Sequence, residues 1–227
     1  MPNHKLEAAK AAAALIKPGQ TVGLGAGSTI AYLIEAVCTD AALAGSVMFS
    51  SSSFKTTQLL LANGLKVQPP ALLAKLDVYF DGCDQFDKHL NALKSGGGIH
   101  TTEKIMAAMA DEFILIGDDS KMVDELDTTY PLVIEILPQA LPSVMRKLTE
   151  AYPDAKIAQR ISTQKDGALI SDNGNYLADI YFANAIAPAT LNTQIKIIPG
   201  IVEHSLFYQL AVKAIVAGDG GVKTVSK

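Results

Sequence analysis

The feature that most constrains this chain is an alternation in its first half: short apolar runs that stop at small or polar residues, each followed by a stretch of helical composition. Thr21–Leu24 is such a run; the turn Gly25-Ala26-Gly27-Ser28-Thr29 follows, then a helix expected over roughly 29–43. A strand at 47–50 precedes a helix over Phe54–Ala62, which Asn63-Gly64 ends. Short strands are expected from Val67 and over 76–80, a helix over 102–110 and a strand over 113–117. An alanine-rich helix over 5–16, stopped by Lys17-Pro18-Gly19, comes before all of these. Strands that alternate with helices call for a parallel α/β sheet, so residues 1–126 are expected to form a Rossmann-like domain. In such sheets ligands bind beyond the carboxyl ends of the strands.

The rhythm then changes. A strand is expected over 132–137, a helix over 143–151 and a strand over 156–161. Asp172-Asn173-Gly174-Asn175 reads as a hairpin-like turn between strands at 168–171 and 176–182. A helix starting at Pro188 and a strand over 201–207 complete a β-α-β-β-α-β order, the pattern of a smaller ferredoxin-like α+β unit. The tail over 211–225 is expected to return to the first sheet. The expected domains are therefore 1–126 plus 207–227, and 127–206.

Composition narrows the function classes. With 49% hydrophobic and 19% charged residues, the 227-residue chain has the make-up of an ordinary globular protein. Its net charge of -4 lacks the basic surplus of a general nucleic-acid binder, yet a few lysines can still oppose that sign locally for a small anion. Two cysteines, Cys38 and Cys83, make no disulfide framework, which fits a reducing compartment. His4, His89, His100 and His204 are scattered, so no dedicated metal site is expected. No apolar run reaches the ~20 residues needed to span a bilayer, and the first residues lack a signal-peptide core. A cytoplasmic protein without a membrane partner is the expectation.

Four segments carry candidate chemistry. In Gly23–Thr29, written Gly23-Leu24-Gly25-Ala26-Gly27-Ser28-Thr29, a glycine-rich turn enters a helix and leaves backbone N–H groups free to hold phosphate. It lacks the third glycine of a dinucleotide fingerprint and the lysine of a P-loop, and a tight turn with Ser28 as N-cap remains an equal alternative. Asp81-Gly82-Cys83-Asp84-Gln85-Phe86-Asp87 puts three carboxylates at a strand end. Crowded carboxylates split their proton affinities, so one can donate while another stays ionised; a solvated turn is the plainer alternative. Lys94-Ser95-Gly96-Gly97-Gly98 keeps three adjacent glycines beside a positive charge, and Glu103 follows in a first helical turn, where it can also merely offset the helix dipole. Lys121, after the strand at 113–117, and Lys5 can each reach a phosphate or lie on the surface. His204 reads as a packing or surface residue, and Cys83 as a small buried one.

Together and in this order, the segments resemble the ribose-5-phosphate isomerase A family. The hallmarks resembled are Gly-x-Gly-x-Gly-Ser-Thr, Asp-Gly-Ala-Asp-Glu, Lys-Gly-Gly-Gly with a following Glu-Lys, and Asp-Asn-Gly-Asn. Here they stand at 23–29, 81–85, 94–98 with Glu103-Lys104, and 172–175. Ser52-Ser53-Phe54 and the segment 199–207 resemble two more family stretches. The resemblance implies interconversion of D-ribose 5-phosphate and D-ribulose 5-phosphate through an enediolate, with no metal and no cofactor. It implies Glu103 as catalytic base, with Asp81, Asp84 and Lys94 as its active-site companions. Substrate contacts are implied at Ala26, Gly27, Ser28, Thr29, Asp81, Gly82, Cys83, Asp84, Lys94, Ser95, Gly96, Gly97 and Lys121, and less directly at Lys5. A homo-oligomer, dimer or tetramer, is implied only by analogy. Cys83 stands where the pattern has alanine, Gln85 where it has glutamate, Ser95 where it has glycine, and Ala26 where some members have a hydroxyl. A phosphosugar sensor of similar fold and another sugar-phosphate isomerase or transferase are the rival readings. Sensors carry a helix-turn-helix ahead of the domain, for which a first strand near residue 21 leaves no room.

Overall fold

The computed structural model describes residues 3–185 and 187–227. α1 (His4–Ala13) lays Ala8, Ala9 and Ala12 against the core, where small side chains permit close helix approach. β1 (Thr21–Leu24) leads into α2 (Ser28–Cys38), and α3 (Ala41–Ser46) follows. The single helix expected over 29–43 is thus two. Thr39 closes the first, and the Asp40 carboxylate accepts the amides of Ala42 and Leu43, starting a new helix on its own N-cap. β2 (Met48–Ser51), α4 (Phe54–Ala62), β3 (Lys66–Val67) and β4 (Leu76–Asp81) come next.

β5 (Gln85–Phe86) and β6 (Ala92–Leu93) form a short antiparallel pair that the sequence reading did not anticipate. α5 (His100–Met109) feeds directly into β7 (Ala110–Asp118). β8 (Leu132–Ile136), α6 (Leu141–Ala151), β9 (Lys156–Gln159), β10 (Tyr176–Tyr181), α7 (Pro188–Lys196) and β11 (Ile201–His204) follow in the expected β-α-β-β-α-β order. Residues 168–171 do not form a full strand; they contribute isolated bridges at Ala168 and Ile170, because β10 pairs with β8 and β9 instead. β12 (Leu206–Phe207), β13 (Lys213–Gly218) and β14 (Gly221–Ser226) finish the chain.

The main sheet runs β14-β13-β7-β4-β1-β2-β3, parallel throughout except for the β13–β14 hairpin at its edge. The tail therefore returns to the first sheet, as expected. A second sheet, β11-β8-β10-β9, is antiparallel and has the strand order of a ferredoxin-like unit. A third, β12-β6-β5, bridges the two. The apolar run over 201–207 supplies both β11 and β12. Ser205 makes the break: its amide donates to Val133, its carbonyl accepts the Lys94 amide, and the chain passes from one sheet to the other.

Side-chain alternation divides the main core. Val78 and Phe80 of β4, with Ile114 and Ile116 of β7, meet α1, α2 and α4 on one face. Tyr79, Phe113 and Leu115 meet Met106 and Phe207 on the other. Phe113 stacks on Tyr79 at 5.2 Å and tilts against Phe207 at 5.9 Å. Phe113→Ala opens a cavity at the centre of this stack, and we expect it to lower unfolding free energy by about 3–5 kcal/mol, read from the urea midpoint.

Candidate active site

β1, β4 and β7 are neighbours, and their carboxyl ends together form one rim of the sheet. Asp81 is the last residue of β4, with its side chain on the same face as Tyr79, two residues earlier. The carboxylate is held from several sides: Oδ1 accepts the amides of Gly82 at 2.7 Å and Ala26 at 3.2 Å, and Oδ2 accepts the Tyr79 hydroxyl at 2.6 Å. Gly25 has to be glycine here, since a Cβ at that position would lie 1.9 Å from the Asp81 carboxylate.

Lys94, just after β6, projects its ammonium into this rim. Nζ lies 2.8 Å from Asp81 Oδ2 and 3.3 Å from Glu103 Oε1, and it also donates to the Gly82 carbonyl. Asp81, Glu103 and Lys94 are only 1%, 4% and 6% exposed, so the cluster has little water to screen it. Burial opposes the lysine's charge, but the two carboxylates outweigh it and raise the affinity for its proton above the ordinary value. One cation cannot balance two buried anions. Burial, reinforced by Asp81 and only partly offset by Lys94, pushes the Glu103 carboxyl up to about 8. Glu103 is therefore no exposed group offsetting a helix dipole, although it does sit in the first turn of α5.

The other motif residues gather around this cluster. Asp84 Oδ2 accepts the Ser95 amide at 2.5 Å and the Gly96 amide at 3.2 Å, clamping the glycine loop to the acidic loop. Gly97 and Gly98 both adopt φ of +71°, a conformation open to glycine at no steric cost. Ser95 Oγ donates to the Pro131 carbonyl at 2.6 Å, and Arg160, paired with Asp179, donates to the Ser95 carbonyl at 2.7 Å. Residues beyond 126 thus support the loop from behind. Cys83 is buried, its thiol is pushed up to about 12 chiefly by burial, and its carbonyl accepts Lys121 Nζ at 2.6 Å.

At the β1 end, Gly27, with φ of +100°, occupies the N-cap position of α2, so Ser28 is the first helical residue and not the cap. The Gly25 and Ala26 amides are already engaged by Phe80 and Asp81. The first amides of α2, at Ser28 and Thr29, have no acceptor within the helix, which suits an anion. Lys121 and Lys5 approach the same rim at Asp118. Burial disfavours that carboxylate, but the Ser120 hydroxyl, Lys121 and Lys5 together hold it below its usual range. Asp84, Gln85, Asp118, Ser120, Lys121, Asp127 and Tyr130 line a cavity of about 340 Å³, whose lining does not include Asp81, Lys94 or Glu103.

Some contributors were not singled out in the sequence. Tyr79 was read only as part of an apolar strand; its i, i+2 relation to Asp81 was the available signal. Glu135 is fully buried and accepts Ser171, Asn175 and Asn173 at 2.7, 2.8 and 3.1 Å, as well as the Thr101 hydroxyl. The Asp172–Asn175 motif therefore holds a buried carboxylate against the start of α5 and does not line the cluster. His204 is buried, and burial with Lys104 nearby lowers its ring to about 4, in keeping with a packing role.

Comparison with known proteins adds a family. Residues 48–221 match the family model described as ribose 5-phosphate isomerase A (phosphoriboisomerase A). A ribose-5-phosphate isomerase A of Methanosarcina acetivorans is 36% identical over 225 residues, 99% of this chain and 94% of the relative. That of Pyrococcus abyssi is 34% identical, covering 97% of this chain and 96% of the relative. The solved ribose 5-phosphate isomerase A of Methanocaldococcus jannaschii superposes with a TM-score of 0.90 at 34% identity, covering 98% of both chains. A D-ribose-5-phosphate isomerase solved with phospho-erythronic acid superposes at 0.91 with 31% identity, over 98% of this chain and 97% of that one.

The raised affinity of Glu103 for its proton bears on stability. The carboxyl ionises near 4.5 in the unfolded chain and near 8 in the folded one, so between these values the folded state keeps a proton that the unfolded state releases, and stability falls as pH rises. We expect Glu103→Gln to melt with the parent near pH 4 and at a higher temperature than the parent above pH 8, as followed by circular dichroism.

Proposed function

The chain belongs to the ribose-5-phosphate isomerase A family, and from that premise we propose that it interconverts D-ribose 5-phosphate and D-ribulose 5-phosphate, with Glu103 as the base. The observation that carries the assignment of roles is the buried triad in which Lys94 Nζ lies 2.8 Å from Asp81 and 3.3 Å from Glu103. Aldose–ketose isomerisation moves a proton between C2 and C1 through an enediolate. It needs a base whose proton affinity lies near the working pH and a fixed positive charge for the developing oxyanion. A carboxyl raised to about 8 beside a buried ammonium offers both.

In this reading Glu103 removes the proton from C2 and returns it to C1. Of the contacts Lys94 makes, the one to Glu103 is long at 3.3 Å and is the one that a substrate oxygen would replace. Once Glu103 holds the proton, its attraction for Lys94 falls, and the ammonium is freed to face the enediolate. The Ser95 and Gly96 amides are engaged by Asp84, so the amide left for the oxyanion is that of Gly97. Asp81 and Asp84 hold sugar hydroxyls and assist ring opening. Ser28 and Thr29 amides, Lys121 and, more remotely, Lys5 take the phosphate, which converts binding far from the reacting carbon into orientation there.

The same reading treats the chain as two units, 1–126 plus 207–227 and 127–206, supported by separate sheets and by the distinct apolar cluster under β8, β10, α6 and α7. It takes the protein as a cytoplasmic homo-oligomer, dimer or tetramer, on family membership alone.

Ribose 5-phosphate incubated with the protein should yield ribulose 5-phosphate; a protein that binds the sugar phosphate without converting it would be a sensor. Glu103→Gln should keep substrate binding and lower turnover by ~10²-fold or more. Near-parental turnover in that variant would remove Glu103 from the mechanism.

A further inference from the structure

Tyr79 is a phenol in an otherwise apolar slot. It is fully buried, stacked on Phe113 at 5.2 Å with 27° between the rings, and lies opposite Gly23 of β1 in the parallel ladder. A Cβ at Gly23 would come within 2.7 Å of the Tyr79 ring, so the first glycine of the turn motif makes room for the aromatic. Packing alone would be served equally by phenylalanine. The hydroxyl is what distinguishes this residue, and a buried hydroxyl without partners would be costly.

Its partners are specific. The hydroxyl donates to Asp81 Oδ2 at 2.6 Å, the same oxygen that Lys94 contacts at 2.8 Å. Behind it lies Ser52 Oγ at 3.3 Å. The phenol has a single proton, and that proton is on the Asp81 bond, so Ser52 acts as donor to the phenol oxygen. A relay of donors thus runs from Ser52 through Tyr79 to Asp81, and Asp81 shares Lys94 with Glu103.

We propose that Tyr79 is a positioning residue of the isomerase site: its hydroxyl fixes the Asp81 carboxylate in the orientation that holds Lys94 between Asp81 and Glu103. The proposal rests on the isomerase reading above and deepens it. The groups facing Asp81 are Tyr79 on its own strand, Gly82 next to it, Ala26 after β1, Lys94 after β6 and Glu103 on α5; Ser52 after β2 acts through Tyr79. Among these, Tyr79 is the neutral side-chain donor. Burial with Asp81 and Glu103 nearby pushes its phenol well above the ordinary value, so it stays protonated and donates across the working range. Without that donor the Asp81 carboxylate is free to turn, and Lys94 loses its fixed place beside Glu103.

The test is Tyr79→Phe, which keeps the ring and the stack. Steady-state kinetics against pH should show kcat lowered by about tenfold, the scale of a hydrogen bond to a charged group, with KM within about twofold. An unchanged kcat would overturn the proposal, as would a loss confined to melting temperature. If Tyr79→Phe does not fold, Ser52→Ala decides: a two- to threefold fall in kcat with KM held supports the relay, and parental kcat overturns it. A parent protein without isomerase activity would instead sink the functional reading itself, so the two failures are distinguishable.

Discussion

A buried ammonium between two buried carboxylates organises this molecule. Left alone, Lys94 would carry the desolvation penalty of an isolated charge, which amounts to several kcal/mol for a buried ion. It is retained because Asp81 and Glu103 reach it from a strand end and a helix start on either side of it in the chain, and because the Gly82 carbonyl accepts a further hydrogen bond. The arrangement is asymmetric by necessity. Asp81 collects amides from Gly82 and Ala26 and a hydroxyl from Tyr79. Glu103 has no comparable set of donors, so the excess negative charge is relieved there. A carboxyl of raised proton affinity thus arises from the unequal surroundings of two carboxylates around one lysine.

Such a cluster can form only if the backbone approaches it closely, and the glycines record where. Gly23 yields to the Tyr79 ring and Gly25 to the Asp81 carboxylate, each at a distance that no β-carbon could share. At Gly98 a β-carbon would lie 2.7 Å from the Leu177 side chain, which pins the loop against the small sheet. Close approach of backbone to side chain is thus reason enough for glycine at these positions. Their conspicuous spacing in the sequence marks close contact of loop with site and of one sheet with another.

This explains what was legible in the sequence. The alternation of apolar run and helix disclosed the parallel sheet, because strands buried on both faces need apolar residues whatever their neighbours. The acidic loop reads alone as a plain turn and Glu103 as an offset to a helix dipole; it is their order together with the lysine loop, and the family resemblance that order carries, that marks them. What escaped was set by tertiary pairing. β5 and β6 are two residues each, and their pairing sets the Asp84 carboxylate on the Ser95 and Gly96 amides; no local periodicity announces a pair that short. The apolar run at 201–207 carries no sign that Ser205 hands it from one sheet to another. The division of the helix at Thr39-Asp40 was readable in principle, since Asp40 is a good N-cap residue, but apolar spacing across the break masked it. Tyr79 was hidden because an aromatic in a strand is ordinary, and only the neighbouring Asp81 gives its hydroxyl a purpose.

The four departures from the family pattern become intelligible once main chain and side chain are separated. At Ala26 the amide, bound to Asp81, is what the site uses, and a methyl does not alter it. At Cys83 the carbonyl receives Lys121, while the thiol lies in the apolar cluster with Leu90 and Phe86. At Ser95 the amide meets Asp84, and the added hydroxyl finds the Pro131 carbonyl, which ties the loop to the strand beyond it. Gln85 goes further. Its amide donates to Asp127 Oδ1 at 2.8 Å while its oxygen accepts the Asp127 amide at 2.9 Å. An ionised glutamate could accept that amide but could not donate to the carboxylate, and it would face a like charge. The wall of the cavity at Asp127 is therefore held in this chain by a pairing that the glutamate of the family pattern could not make. Where main-chain groups make the contacts, side chains are free to vary, and here one of them secures the segment at Asp127.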